Sequence, residues 1–342
     1  MSRTRLVVLS RRGRSSLPAA YWRRLEAAAD VCLVQRDDAP ARDQAVTLLR
    51  DADLVGSTNL CLPRMDGALL DAVPRLRGIV LYATGYDHLD VPDLRRRGVG
   101  LCVMPDYATI AVSEHALALL LSLATRLHLA HDRSRAVVRV DTSLRGVELA
   151  GRTLGIVGVG RIGGRLAGLA RGVGLRVVGH DIDRAAEALA AARGVEMTGL
   201  DDLLRRSDAV ALTASHVLGR PAVIGRRELA LMRPGGHLVN VGRPDLVDTA
   251  AAVAALRAGD LRGYAVDDVV VDAARDGDLL DEGRLLQTGH SAWWRDEVLE
   301  RGAWMWGDRL LGAVLGHPLD AVTWPEPAAP HLTRPLDDMV RA

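Results

Sequence analysis

The sequence predicts an α/β protein made of two parallel-sheet units, and three observations carry that prediction. Short β-rich runs alternate with Ala/Leu/Arg-rich helical patterns from the start of the chain. That order needs crossover helices and therefore a parallel sheet covered on both faces. The pattern is interrupted by one long apolar helix and then begins again. The length, 342 residues, exceeds what a single hydrophobic core usually fills, so two domains are expected.

The strands come first in each unit. Leu6 to Leu9, Val31 to Val34, Asp53 to Val55, Ile79 to Leu81 and Val99 to Val103 are brief runs rich in Val, Leu and Ile with polar flanks, the pattern of buried strands. Tyr21 to Ala29 and Arg64 to Ala72 read as helices between them. Ile110 to about Leu129 is apolar almost all round, so it should be a helix buried between layers, domains or subunits. Beyond it, Thr153 to Val157, Arg176 to Val178, Ala209 to Leu212, His237 to Asn240 and Tyr264 to Asp267 read as a second set of strands with helices between. Residues 325–342, with Pro325, Pro327, Pro330 and Pro335 and no periodic pattern, are expected to form a loose tail.

Composition narrows the functional classes. Hydrophobic residues at 49% and charged residues at 25% are the balance of a folded globular chain. The 44 basic and 43 acidic residues nearly cancel to +1, which leaves no overall field to recruit nucleic acid or an anionic membrane. Every basic residue is Arg, so chemistry through a Lys base or Schiff base is excluded, while bidentate clamping of carboxylates stays available. Cys32, Cys61 and Cys102 are widely separated and leave one unpaired in any disulfide scheme, so no metal site and a reduced, cytoplasmic setting are expected. Leu6 to Leu9 is too brief for a signal-peptide core, and Ile110 to Ala124, broken by Glu114 and His115, falls short of the ~20 residues that span a bilayer.

Gly158, Gly160 and Gly163 follow the strand ending at Val157 and open the helical run Arg161 to Arg171. This places a G-x-G-x-x-G fingerprint in the strand-turn-helix context that dinucleotide binding requires. The first glycine allows the tight turn, the second lets backbone approach a pyrophosphate, and the third lets helix pack on strand. The helix N-terminus would then meet the phosphates. The next strand ends near Asp181, whose carboxylate can accept both adenosine ribose hydroxyls and would repel a 2′-phosphate, which argues for NAD as cofactor. Asp181 could instead cap the following helix, although Asp183 is also available for that.

Five segments in order complete the reading: Ala83-Thr84-Gly85-Tyr86-Asp87-His88-Leu89-Asp90, Val112-Ser113-Glu114-His115, the glycine loop, Asn240-Val241-Gly242-Arg243 and Thr288-Gly289-His290. Together they resemble the D-isomer-specific 2-hydroxyacid dehydrogenase family, over roughly residues 50 to 315. The resemblance implies a flavodoxin-like substrate domain of residues 1–107 completed by 296–324, with an inserted Rossmann domain of residues 108–295, both doubly wound. It further implies that the helical run Asp296 to Leu315 packs on the first domain, and that the chain forms a homodimer through the Ile110 to Leu129 region.

The resemblance also implies the roles of individual residues. Arg243 would bind the substrate carboxylate and polarise the 2-keto oxygen, and His290 would be the acid/base. Asp272, standing where the family has Glu followed by Pro, would pair with His290, with Asp276 and Asp278 as neighbouring alternatives. Cofactor contacts fall to Arg161, Ile162, Thr213 and Val241 beside the three glycines and Asp181, with Asp267 at the nicotinamide carboxamide and Asp268 as an accessory acid. Thr84, Gly85 and Tyr86 would meet the carboxylate of a small carboxylic acid substrate, Trp293 would form an apolar wall, and Trp294 would serve packing. Pro244 follows Arg243 where the family usually has Gly, which should push Arg243 toward extended backbone. Oxidation of formate, phosphite or a phosphonate, and an NAD(H)-responsive binding protein with vestigial catalysis, are the alternative readings.

Overall fold

The computed structural model describes residues 3–216, 219–317 and 319–323, and the tail expected to be loose, 325–342, lies outside the described residues. Two units divide the chain, one running to Tyr107 and resuming at Leu299, the other spanning Ala108 to Val298.

In the first unit, β1 (Arg5–Ser10), β2 (Asp30–Gln35), β3 (Leu54–Thr58), β4 (Gly78–Tyr82) and β5 (Gly100–Cys102) form one parallel sheet in the order β2-β1-β3-β4-β5. That is the doubly wound, flavodoxin-like order. Leu6, Val7, Val8 and Leu9 are fully buried, as a central strand covered on both faces requires. The helix Asp296–Leu315 adds its Leu299 to Leu315 portion to this unit. Trp306 donates from its indole to the carbonyl of Val80 at 3.0 Å, and Trp304 meets Tyr21 edge to face.

The second unit holds β6 (Thr153–Val157), β7 (Arg176–His180), β8 (Glu196–Met197), β9 (Ala209–Leu212), β10 (Gly236–Asn240), β11 (Leu261–Val266) and β12 (Leu285–Gln287). Its parallel order, β12-β11-β10-β9-β6-β7-β8, reverses between β6 and β9, the switch point at which ligands bind in such sheets. Because every strand runs the same way, the loops after β6, β9, β10, β11 and β12 share one edge.

The same device starts both sheets. In the first, Asp53 accepts from the amide of Arg5 at 2.8 Å and returns its own N–H to the Arg5 carbonyl at 2.9 Å. In the second, Asp208 accepts from Thr153 at 2.8 Å and donates back at 2.9 Å. Each aspartate ties the first residue of a central strand to the start of its neighbour across the switch point, and each also faces arginine, Arg75 for Asp53 and Arg233 for Asp208.

Four elements differ from the sequence expectation. The apolar helix is Thr109–Thr125, followed by Leu127–Ser134 at a 63° bend. Arg126 between them adopts left-handed backbone (φ 56°) while its side chain donates to the carbonyl of Glu282. The helix expected from Arg64 begins at Gly67, because Asp66 caps it by accepting from Leu69 N. The strands β8 and β12 are too short to leave a periodic signal. Among the described residues, no single helix is long and apolar enough to cross a membrane, and no group of three His, Cys, Asp or Glu is placed to hold a metal.

Candidate active site

The glycine loop lies at the switch point of the second sheet. Gly158 sits at φ 90°, and a Cβ there would come within 2.5 Å of the Ala214 amide nitrogen, so only glycine fits. A Cβ at Gly163 would overlap the Gly158 carbonyl, whereas the Cβ direction of Gly160 is open. The helix Arg161–Gly172 starts at Gly160 without a side-chain cap, which leaves its first turn of amides directed toward a ligand. Thr213 donates its hydroxyl to the Gly158 carbonyl, Ile162 is half-buried, and Arg161 is exposed. Val241 is buried, its amide bonded to the Leu212 carbonyl at 3.1 Å.

Asp181 lies just past β7 and accepts from Val159 N at 2.8 Å and Asp183 N at 2.9 Å. It therefore braces the glycine loop, and Asp183 caps the next helix through Ala185 N. The open face at Gly160, the helix N-terminus and this carboxylate form a cradle that fits a dinucleotide.

Arg243 stands after β10 with extended backbone, φ −136° and ψ 145°, the geometry a following proline favours. The buried Asn240 fixes the turn, donating from Nδ2 to the Arg243 carbonyl at 2.7 Å and accepting from Gly242 N at 3.0 Å. Nη1 of Arg243 donates to the Gly242 carbonyl at 2.9 Å, which folds the guanidinium back over the strand end.

His290 is exposed after β12, and its backbone, like that of Gly289, is left-handed, φ 59° and 60°. For a non-glycine residue that conformation costs about 1 kcal/mol. Asp267 holds the loop on both sides of it. One carboxylate oxygen accepts from the Thr288 hydroxyl at 2.7 Å and Ser291 N at 2.8 Å, and the other accepts from Ala292 N at 3.0 Å. Three acceptor positions of the residue expected at the nicotinamide carboxamide are thus taken by the loop, leaving room for a single further donor.

The structure places a carboxylate other than the expected one beside His290. Asp268 Oδ2 lies 3.5 Å from His290 Nδ1. Asp272 instead caps the helix Ala273–Asp281 by accepting from Ala274 N at 2.9 Å, because a shorter Asp arm at a helix start finds an unpaired amide first. Asp276 pairs with Arg257 and Arg275, and Asp278 with Arg257. Neither alternative is paired with His290.

His115, without a role in the sequence reading beyond its motif, touches this loop. Its Nε2 is 3.0 Å from the Thr288 hydroxyl and 3.7 Å from Asp267, and Nδ1 faces Arg295 at 3.2 Å. Burial pushes its imidazole below the ordinary histidine range, Asp267 opposes that, and Arg295 reinforces it. The only sequence signal was the Val112-Ser113-Glu114-His115 motif on the apolar helix. Trp293 is half-buried, and Trp294, expected to pack, is exposed and edge-on to it at 5.0 Å. Within the first unit, the Thr84 hydroxyl donates to the Met104 carbonyl at 2.9 Å, and Thr84, Gly85 and Tyr86 are half-buried in the turn after β4.

The chain is similar to known proteins in sequence and in fold. The family model described as D-isomer specific 2-hydroxyacid dehydrogenase, NAD binding domain, matches residues 117–292. A glyoxylate reductase of Thermococcus kodakarensis is 36% identical over 233 residues, 66% of this chain and 69% of that protein. The D-lactate dehydrogenase of Aquifex aeolicus, solved with NAD and lactic acid, superposes with a TM-score of 0.76 at 25% identity, covering 91% of this chain and 96% of that one. A glyoxylate reductase from Paecilomyes thermophila gives a TM-score of 0.82 at 22% identity, covering 94% and 99% of the two chains, a likeness of fold.

Proposed function

Since this chain belongs to the D-isomer specific 2-hydroxyacid dehydrogenase family, whose NAD-binding domain it carries, we propose that it interconverts a small 2-hydroxy acid and its 2-keto acid through Arg243, His290 and Asp268. The cradle from Gly158 to Gly163 and the helix N-terminus behind it would hold the NAD pyrophosphate, and Asp181 the ribose hydroxyls. NAD(H), when bound, supplies or accepts the hydride.

The remaining work falls to side chains. Arg243, permanently charged and planar, binds the substrate carboxylate and stabilises charge developing on the 2-keto oxygen. His290 protonates that oxygen during reduction and takes the proton back during oxidation. Asp268, 3.5 Å from Nδ1, orients the ring. The observation that carries this reading is that exposed His290–Asp268 pair on the same strand-end edge as Arg243 and the glycine loop. Relatives named for glyoxylate and a structural neighbour holding lactic acid support a substrate with a short side chain. A cytoplasmic homodimer belongs to the same reading, and for the dimer the support is the exposure of the apolar side chains Ile110 and Leu127 in the region expected to pair.

Steady-state NADH oxidation over a panel of 2-keto acids tests the proposal. Turnover is expected on at least one short member, and none on the whole panel would overturn the enzyme reading in favour of a binding role. Arg243→Ala should raise KM and lower kcat with NADH affinity unchanged. Asp268→Asn should cost about 10- to 1000-fold in rate, while Asp272→Asn should cost little.

A further inference from the structure

The geometry points to His115 as a positioning residue for His290, acting through Thr288 and Asp267 as a neutral imidazole whose proton is on Nε2. The inference rests on His290 being the acid/base group. Its force comes from the directions of the hydrogen bonds, which admit a single assignment. Thr288 Oγ1 gives its proton to Asp267 Oδ1 at 2.7 Å, since a carboxylate has none to give. Toward His115 Nε2, 3.0 Å away, the same oxygen must accept, so Nε2 carries hydrogen. Nδ1 faces Arg295 Nη2 at 3.2 Å, and a guanidinium offers no lone pair, so Nδ1 must supply one.

The path Arg295 to His115 to Thr288 to Asp267 is therefore a run of donors pointing one way. A second proton on His115 would set N–H against guanidinium and break its first link. The charged groups facing the ring are Asp267 at the end of β11 and Arg295 beyond the His290 loop, while the adjacent Glu114 pairs with Arg165 of the helix Arg161–Gly172. Burial lowers the affinity of the ring for that second proton, and Arg295 adds to the effect.

The consequence for His290 follows from where the path ends. Asp267 grips Thr288 before the two left-handed residues and Ser291 and Ala292 after them. Arg295 also donates to the carbonyls of Ser291 at 3.2 Å and Trp294 at 2.8 Å. With His115 donating to it, the Thr288 hydroxyl is held toward Asp267. Without that donor it is free to rotate, and the grip on the upstream side loosens.

The test uses the full chain labelled with ¹⁵N-histidine, together with kinetics. At neutral pH the His115 nitrogens should report the neutral Nε2–H tautomer, and an Nδ1–H or doubly protonated ring would overturn the assignment. His115→Leu should displace the His290 ring resonances and lower kcat about 10-fold or more, with KM and NADH affinity little changed. His115→Gln, which restores a donor to Thr288, should return the resonances and most of the rate. Thr288→Val should reproduce the His115→Leu loss and Thr288→Ser should not. On acidification past the ordinary histidine range the wild-type His290 resonances should shift as His115 takes up its second proton, and in His115→Gln that step should be missing. Unmoved His290 resonances in folded His115→Leu would defeat the inference whether or not the chain turns over a 2-keto acid. Wild-type kcat in that variant, or no rescue by Gln, would equally defeat it.

Discussion

The two sheets begin alike and end differently. Both tie a central strand to its neighbour through one aspartate, Asp53 to Arg5 and Asp208 to Thr153, and in both the strand leads toward a helix at the carboxyl edge. After β6 only residues 158–160 intervene before the helix, and they are built for close approach by a ligand. After β1 the chain takes residues 11–18 to reach its helix. It fills that turn with its own groups: Arg12 N on Ser10 Oγ at 3.3 Å, and the Trp22 indole on the Arg14 carbonyl at 2.7 Å. Shared topology therefore supplies the edge, and the loop decides whether a dinucleotide can use it.

The sharpest way to break this contrast is to place a methyl group in each turn. Gly158→Ala meets both a positive φ and the Ala214 backbone, so NADH affinity should fall by about 100-fold or more, on the order of 2.7 kcal/mol. Gly13 also has positive φ, 52°, but its nearest neighbour is the flexible end of Gln35. Gly13→Ala should leave NADH affinity unchanged and cost about 1 kcal/mol of stability. Fluorescence titration of both variants with NADH, alongside thermal melts, measures this, and equal losses of affinity would erase the distinction.

Acid should separate the units next. His237 on β10 is buried, with no hydrogen-bond partner at Nε2. Burial first, then Arg262, Arg152 and Arg126, push its imidazole down to about 4. An unfolded histidine takes its proton near pH 6.5, so between these values the unfolded chain binds a proton that the folded chain refuses, and stability falls with pH. The loss approaches about 3 kcal/mol by pH 4, and His115 acts in the same direction. Among the described residues, the first unit buries no histidine. Protection against hydrogen exchange, corrected for the intrinsic pH dependence of amide exchange, should therefore fall from pH 7 to pH 5 in β9 and β10 before β1 and β3. His237→Leu should reduce that difference, and an unchanged exchange pattern would argue against this account.

How much of this was legible depends on how local the cause is. The three glycines could be read because a tight turn and a close approach are demands on single residues, and Asp183 announced itself as a cap by standing just before a helical run. The helix Asp296–Leu315 was bounded by its own Leu and Trp pattern. The break at Arg126 was invisible, since arginine carries no breaker signal and its side chain meets the carbonyl of Glu282, far along the chain. Counting along the chain brought Asp272 to the family's carboxylate position, but a count does not choose a rotamer, and the Ala274 amide claims that side chain. Asp268 meets His290 only because Gly289 and His290 turn left-handed together, and His115 joins them across more than a hundred residues of sequence.

The smallest expected effect tests the half of the comparison in which the units agree. Asp53→Asn and Asp208→Asn each keep an acceptor oxygen but lose its charge, so each should cost about 1 kcal/mol and speed exchange of the amide it holds, Arg5 or Thr153. For Asp208, burial opposes the charge, yet the Thr153 amide and the Arg233 guanidinium outweigh it and hold the carboxyl below its usual range. Such a group stabilises the fold above the unfolded carboxylate range near pH 4, and that contribution is lost as pH falls through the folded value. Asp208→Asn should therefore weaken the protein at pH 7 and flatten its decline below pH 4. Paired melts of the two variants, read with amide exchange at Arg5 and Thr153, decide whether one device serves both sheets. Equal losses are expected, and a cost in one unit with none in the other would mean that the matching hydrogen bonds do not carry matching energy.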